Sequence, residues 1–180
     1  MKTYKLYREQ YLDGDMDTVW DFFSSPENLD ILTPENMGFE IKTQKPLPKM
    51  YKGQIIEYTV RPVLNLPIFW RTEITEVEDN KSFIDEQRKG PYKLWRHQHI
   101  FEETSRGIKM IDDLEYALPM GPVGSLVHYI YVKNRLKEIF DYRYEQVDKI
   151  FNKSEGLNNS SKASGIQRSS PYQSPINVSS

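Results

Sequence analysis

With 180 residues, 38% of them hydrophobic and 13% aromatic, the chain can bury one core and still have length left over. Its net charge of −2 offers no basic surface to a nucleic acid, and the absence of cysteine excludes a disulfide scaffold, a thiolate metal site and cysteine catalysis. No run approaches the ~18 apolar residues of a membrane span, and "MKTYKLYREQYLDGD" lacks a signal peptide's apolar stretch, so a cytoplasmic protein with no stable membrane insertion is expected.

In chain order, "TYKLYREQYL" reads as a strand rich in Tyr and Leu, closed by an Asp13-Gly14 turn. "DMDTVWDFF" reads as a helix capped by Asp15, with Val19, Phe22 and Phe23 on one face. "SPENLDIL" restarts a short helix with Ser25 at the cap and Pro26 in its first position, and Thr33-Pro34 stops it. Six strand-like segments follow: "GFEIKTQ", "GQIIEYTVR", "LPIFWRTEITEVE", "SFIDEQRKG", "YKLWRHQHIFEE" and "GIKMIDDLEYALP". The breaks between them carry Pro, Gly, Asp and Asn, which suits an antiparallel meander. "GPVGSLVHYIYVKNRLKEIFDYRYEQVDKIF" then reads as a long helix, with Pro122 in its first turn. At 100° per residue, Tyr129, Val132, Leu136, Ile139, Phe140, Val147 and Ile150 share one side of it. The final segment, 152–180, is rich in Ser and Asn, shows no apolar periodicity, and is expected to be a disordered tail behind a domain of residues 1–151.

Alternation along strands sorts side chains by face. It puts Trp95, His97, His99 and Phe101 on one face of "LWRHQHIFEE", with Arg96, Gln98 and Glu102 on the other. The inner sets of the neighbouring strands are Ile56, Tyr58 and Val60; Ile68, Trp70, Thr72 and Ile74; and Ile108, Met110, Asp112, Leu114, Tyr116 and Leu118. "SFIDEQ" is ambiguous, with Phe83, Asp85 and Gln87 as its inward reading. The long helix adds Arg143 within its apolar stripe and His128 near the edge. Charged groups on such a wall need partners, and Asp112 with Arg143 is the natural pair.

The stretches "VWDFFSSPENLDILTPENMGF", "WRTEITEVE", "FIDEQRKGPYKLWRHQHIF", "DDLEYALPMGPVG" and "IFDYR" span most of residues 3–151. Together they resemble the START-like helix-grip superfamily, also called SRPBCC or the polyketide cyclase/dehydrase and lipid-transport group. Within it they look most like bacterial ligand-binding SRPBCC domain proteins. The resemblance implies an α+β helix-grip fold: a curved antiparallel sheet of about seven strands wrapped around a long C-terminal helix, with two short helices after the first strand. It carries over Trp95, His97, His99, Phe101, Asp112, Tyr116, His128 and Arg143 as matching positions, with no catalytic role attached.

Four readings of the His-x-His strand compete. As metal ligands, His97 and His99 are two donors on one strand, and His128 or Asp112 would have to be the third. As an acid/base pair with Asp112 they would serve a cyclase, dehydratase or hydrolase, although no motif marks a nucleophile or an oxyanion hole. As satisfied core residues they would simply pack. As polar anchors of an aromatic pocket they would orient a small molecule. The last is the expectation: a small hydrophobic or amphipathic ligand bound by Tyr58, Trp70, Trp95, His97, His99, Phe101, Asp112, Tyr116, His128 and Arg143, with no cofactor, in a monomer or weak dimer. "VGSLVHYIYV" is apolar nearly all round, so one face packs on the sheet and another either meets the preceding loops or stays outward, as a portal, a dimer patch or a transient membrane contact.

Overall fold

The computed structural model describes residues 1–61, 66–119 and 121–152. Its strands are β1 (Tyr4–Leu12), β2 (Glu40–Ile41), β3 (Ile55–Val60), β4 (Ile68–Glu78), β5 (Ser82–Lys89), β6 (Leu94–Thr104) and β7 (Gly107–Ala117). They form one antiparallel sheet in the order β1-β7-β6-β5-β4-β3-β2, so the first strand closes against the last. Two register shifts in the β4–β5 pairing bend the sheet, as bulges do. Helix α3 (Lys133–Phe151) lies across the curved face, with Leu136, Phe140, Val147 and Phe151 buried. This is the helix-grip arrangement.

Local chemistry explains the elements. Helix α1 (Met16–Phe23) starts where Asp15 accepts from the Thr18 amide at 2.8 Å, and it buries Val19 and Phe23. These join Leu12, Ile56, Ile74, Phe83, Phe101 and Ile108 in one core cluster. Tyr4, Leu6, Leu114, Tyr116, Leu136 and Phe140 form a second cluster farther along the helix.

Three expectations need correction. The second short helix, expected over "SPENLDIL", is a single 3-10 turn, Pro26–Leu29, and a further 3-10 turn, Glu35–Met37, follows the Thr33-Pro34 stop. Ser25 does not cap the first of them, because its hydroxyl donates back to the Asp21 carbonyl at 2.6 Å. The strand expected at "GFEIKTQ" pairs only at Glu40 and Ile41. Beyond them the Lys42 and Thr43 amides both donate to the Glu57 carbonyl, at 2.7 and 3.2 Å, which ends the ladder.

The long helix also departs from expectation. It runs from Gly121 as α2 (Gly121–Val127), but passes through a π-helical segment, His128–Val132, before α3. A π turn inserts one extra residue and rotates the inward face. The inward place expected for Tyr129 therefore falls to His128, and Tyr129 stands 77% exposed. At the other end Phe151 takes the inward place in preference to Ile150. Asn152, counted with the tail in the sequence, caps α3, donates to the Tyr11 carbonyl at 3.0 Å and accepts from the Asp13 amide at 2.9 Å. The rest of the expected tail, 153–180, lies outside the described residues. No helix among the described residues is long and apolar enough to cross a membrane.

Candidate functional site

Three adjacent strands deliver the polar groups. Register sets Asp85 of β5 opposite His97 of β6, and His99 of β6 opposite Asp112 of β7. All four side chains point to the concave face, where the two histidines are 4% and 3% exposed. Each imidazole then meets both carboxylates. His97 Nε2 lies 3.0 Å and His99 Nδ1 2.9 Å from Asp112 Oδ1. On the opposite side of the rings, His97 Nδ1 lies 3.5 Å and His99 Nε2 3.1 Å from Asp85 Oδ2. The rings sit 3.9 Å apart, and Phe83 stacks on His99 at 4.2 Å. The Trp95 indole donates to the other oxygen of Asp85 at 3.3 Å. From α3, Arg143 Nη2 reaches 3.2 Å from His99 Nδ1 and 3.5 Å from Asp112 Oδ1.

The electrostatics follow from burial and crowding. Burial alone would raise the Asp112 carboxyl, but the Arg143 guanidinium and the contacts of both histidines outweigh it, holding it well below the ordinary carboxylate range. Asp85 is also lowered: burial is overcome by its hydrogen bond with His99 and the charges of His97, His99 and Arg143. His97 is lowered too, because burial and the neighbouring His99 together exceed the pull of the two carboxylates. Both acids are therefore held ionised in a largely dry setting.

Beside this cluster is a cavity of about 170 Å³. Its polar end carries Asp85, His97, His99 and Arg143, and its apolar walls include Phe39, Tyr58, Trp70, Trp95 and Phe140. A second cavity, of about 270 Å³, lies toward α2 and is lined by Tyr92, Leu118, Val127 and Tyr131. Met37, Val60, Trp70, Trp95, Leu136 and Ile139 border both, so one layer of side chains separates them. The Trp70 indole N–H and Arg143 Nε are buried at this junction and wall with no hydrogen-bond partner among the described residues.

The structure thus brings Tyr58, Trp70, Trp95, His97, His99 and Arg143 to the cavities and leaves four expected residues off them. Asp112 stands behind the histidines. Phe101 packs into the core among Trp20, Phe23 and Phe83. Tyr116 and His128 pair with each other at 2.8 Å, and His128 stacks on Tyr4 at 3.5 Å, walled off from the cavities. The reason is the sheet's depth: alternation says which face a residue occupies, not whether the helix covers it there. Conversely, Asp85 belongs to the cluster, and register against His97 is the signal that resolves its ambiguous strand. Gln87 lines neither cavity and instead exchanges two hydrogen bonds with the Tyr92 backbone, holding the turn that carries Tyr92 to the second cavity. Alternation along "YKLWRHQHIFEE" puts Tyr92 on the face opposite Trp95, but β6 begins only at Leu94, so Tyr92 escapes that alternation.

No protein-family model matches the sequence, and no curated protein sequence matches it. Solved structures do. The fold is similar to that of the protein TTHA0849 from Thermus thermophilus, with a TM-score of 0.60 and 15% identity over 81% of this chain and 98% of that one. Protein CV1439 from Chromobacterium violaceum gives a TM-score of 0.61 at 11% identity, over 82% and 96%. Ginseng major latex-like protein 151 from Panax ginseng gives 0.57 at 12%, over 83% and 98%. At such identities the likeness is one of fold.

Proposed function

We propose that the protein binds a small amphipathic molecule between sheet and helix, its apolar body against Tyr58, Trp70, Trp95 and Ile139 and its polar end toward His97, His99 and Arg143. The observation that supports this best is the pair of adjoining cavities under one helix. Neither alone reaches the ~300 Å³ at which small-molecule sites begin, but the two together do, and only side chains divide them. The unpartnered Trp70 N–H and Arg143 Nε are donors that a ligand oxygen would satisfy. The roof of the second cavity includes Val127 and Tyr131, while Leu126, Tyr129 and Ile130 beside them face outward, so the ligand enters through this apolar segment. On this reading the protein is one of the bacterial ligand-binding SRPBCC domain proteins.

The test uses N-phenyl-1-naphthylamine, whose fluorescence rises in an apolar site. The full chain should bind it saturably, one per chain. Ile139→Trp, which fills the partition between the cavities, should weaken binding at least about tenfold, as expected where lost cavity volume forces overpacking of ~1–3 kcal/mol. Binding unaffected by Ile139→Trp in a folded variant would put the dye elsewhere and overturn the reading. A second reading, turnover with His97 or His99 as acid/base, draws on Asp112 touching both rings. It requires that Asp112→Asn abolish conversion of the bound molecule while binding persists.

A further inference from the structure

The cluster contains more lone pairs than protons to share among them. A neutral imidazole carries one N–H. His97 and His99 nevertheless present four ring nitrogens to two carboxylates, at 2.9–3.5 Å. In the tautomer in which each ring donates to Asp112, the bare nitrogens His97 Nδ1 and His99 Nε2 both face Asp85 Oδ2, three lone pairs converging with no hydrogen between them. A divalent cation set among those three atoms would give each lone pair a partner.

We infer that Asp85, His97 and His99 form a binding site for a divalent first-row transition ion, of which zinc is the type, with Asp112 holding the two imidazoles in place. The ligand atoms of the three residues all lie within 4.8 Å of one another. Tetrahedral bonds of ~2.0–2.2 Å place donor atoms roughly 3.3–3.6 Å apart, and Asp85 Oδ2 already stands 3.1 and 3.5 Å from the two nitrogens. The outer contacts are those that a histidine-ligated metal uses. Both far nitrogens rest on one carboxylate, that carboxylate is held by Arg143, and the free oxygen of Asp85 accepts from Trp95. The fourth coordination position opens on the smaller cavity, which Asp85, His97 and His99 all line. With both aspartates ionised and Arg143 cationic, the loaded site keeps a single net positive charge. It therefore takes an anionic oxygen, such as a carboxylate or an enolate, as its remaining ligand. This site stands or falls separately from the apolar-ligand reading.

The full chain, stripped with a chelator and dialysed, is titrated with Co(II) and Zn(II). One Co(II) per chain should bind, giving the intensified visible bands of a four- or five-coordinate ion, and Zn(II) should displace it. Asp112→Asn should weaken Zn(II) by the ~10- to 100-fold that loss of an outer hydrogen-bond partner costs. Asp85→Ala and His99→Ala should weaken it more, and His128→Gln should leave it unchanged. Where a variant fails to fold by circular dichroism, X-ray absorption of the zinc-loaded wild type decides: two imidazole nitrogens with oxygen support the site, and an all-oxygen shell overturns it. No stoichiometric binding by the folded wild type overturns it too. That result would mean that Arg143 donates to His99 Nδ1 and the cluster is a closed ion network. Dye binding by the stripped protein reads the cavity independently, so the two failures are distinguishable.

Discussion

Asp112 shares a single one of its oxygens, Oδ1, among two imidazoles and a guanidinium, with 9% of its side chain exposed. Removing one partner of a buried charge network leaves the others uncompensated, at about 3–5 kcal/mol. Asp112→Ala should therefore lower the urea midpoint of the metal-free protein by that equivalent, and Asp112→Asn by less. His128 is a different kind of buried histidine. Burial, with the Lys133 and Lys2 ammonium groups, holds its pKa below the ordinary value near 6.5. Tyr116, whose phenol burial pushes up, stays protonated and pairs with Nε2, so the neutral ring suits the folded state. The unfolded chain therefore binds the proton more readily. The stability contributed by neutral His128 is full above about pH 6.5 and is lost as pH falls from there through the lowered folded value. His128→Gln should flatten that part of the stability–pH curve relative to wild type, as followed by thermal unfolding from about pH 7.5 to 5.

At the scale of elements, the helical roof is the weak point. A Cβ on Gly124 would stand 2.1 Å from the Pro119 carbonyl oxygen, a backbone atom that cannot swing aside. Gly124→Ala should push α2 off the sheet, at a cost of about 1–3 kcal/mol. Amide exchange should accelerate across 121–132, while β6 and β7 stay protected. The strands themselves were legible in the sequence, because long alternating runs such as "LWRHQHIFEE" leave little choice of face. The π segment was not, since nothing in "HYIYV" distinguishes a π turn from an α turn by periodicity, and this misplaced Tyr129. The brief 3-10 turn at Pro26–Leu29 reads in the sequence as a longer helix for a related reason: Pro26 signals a start but not a length.

On the scale of the whole molecule, the sequence showed that a curved sheet would grip one helix, and placed His97, His99 and Arg143 toward the space between them. It could not show that this space divides in two, because the partition depends on how far Trp70, Trp95 and Ile139 reach across it. Nor could it show that α3 packs directly over Phe101 and Tyr116, in the two flanking cores, or that His128 stacks on Tyr4. Asp85 was half legible: its face was ambiguous alone, and fixed only by the partner strand.

The placement of two carboxylates on the strands flanking β6 also bears on how the sheet assembles. A slip of β6 by two residues keeps each inward-facing side chain of the strand inward, so hydrophobic burial barely opposes it. The charges do oppose it. Slipped one way, Phe101 replaces His99 opposite Asp112; slipped the other way, Trp95 replaces His97 opposite Asp85. Either error strands a buried carboxylate without its histidine, at a cost of several kcal/mol. The cluster is thus a registration mark, readable only when three strands are aligned, and it selects the one pairing in which the cavity wall is complete.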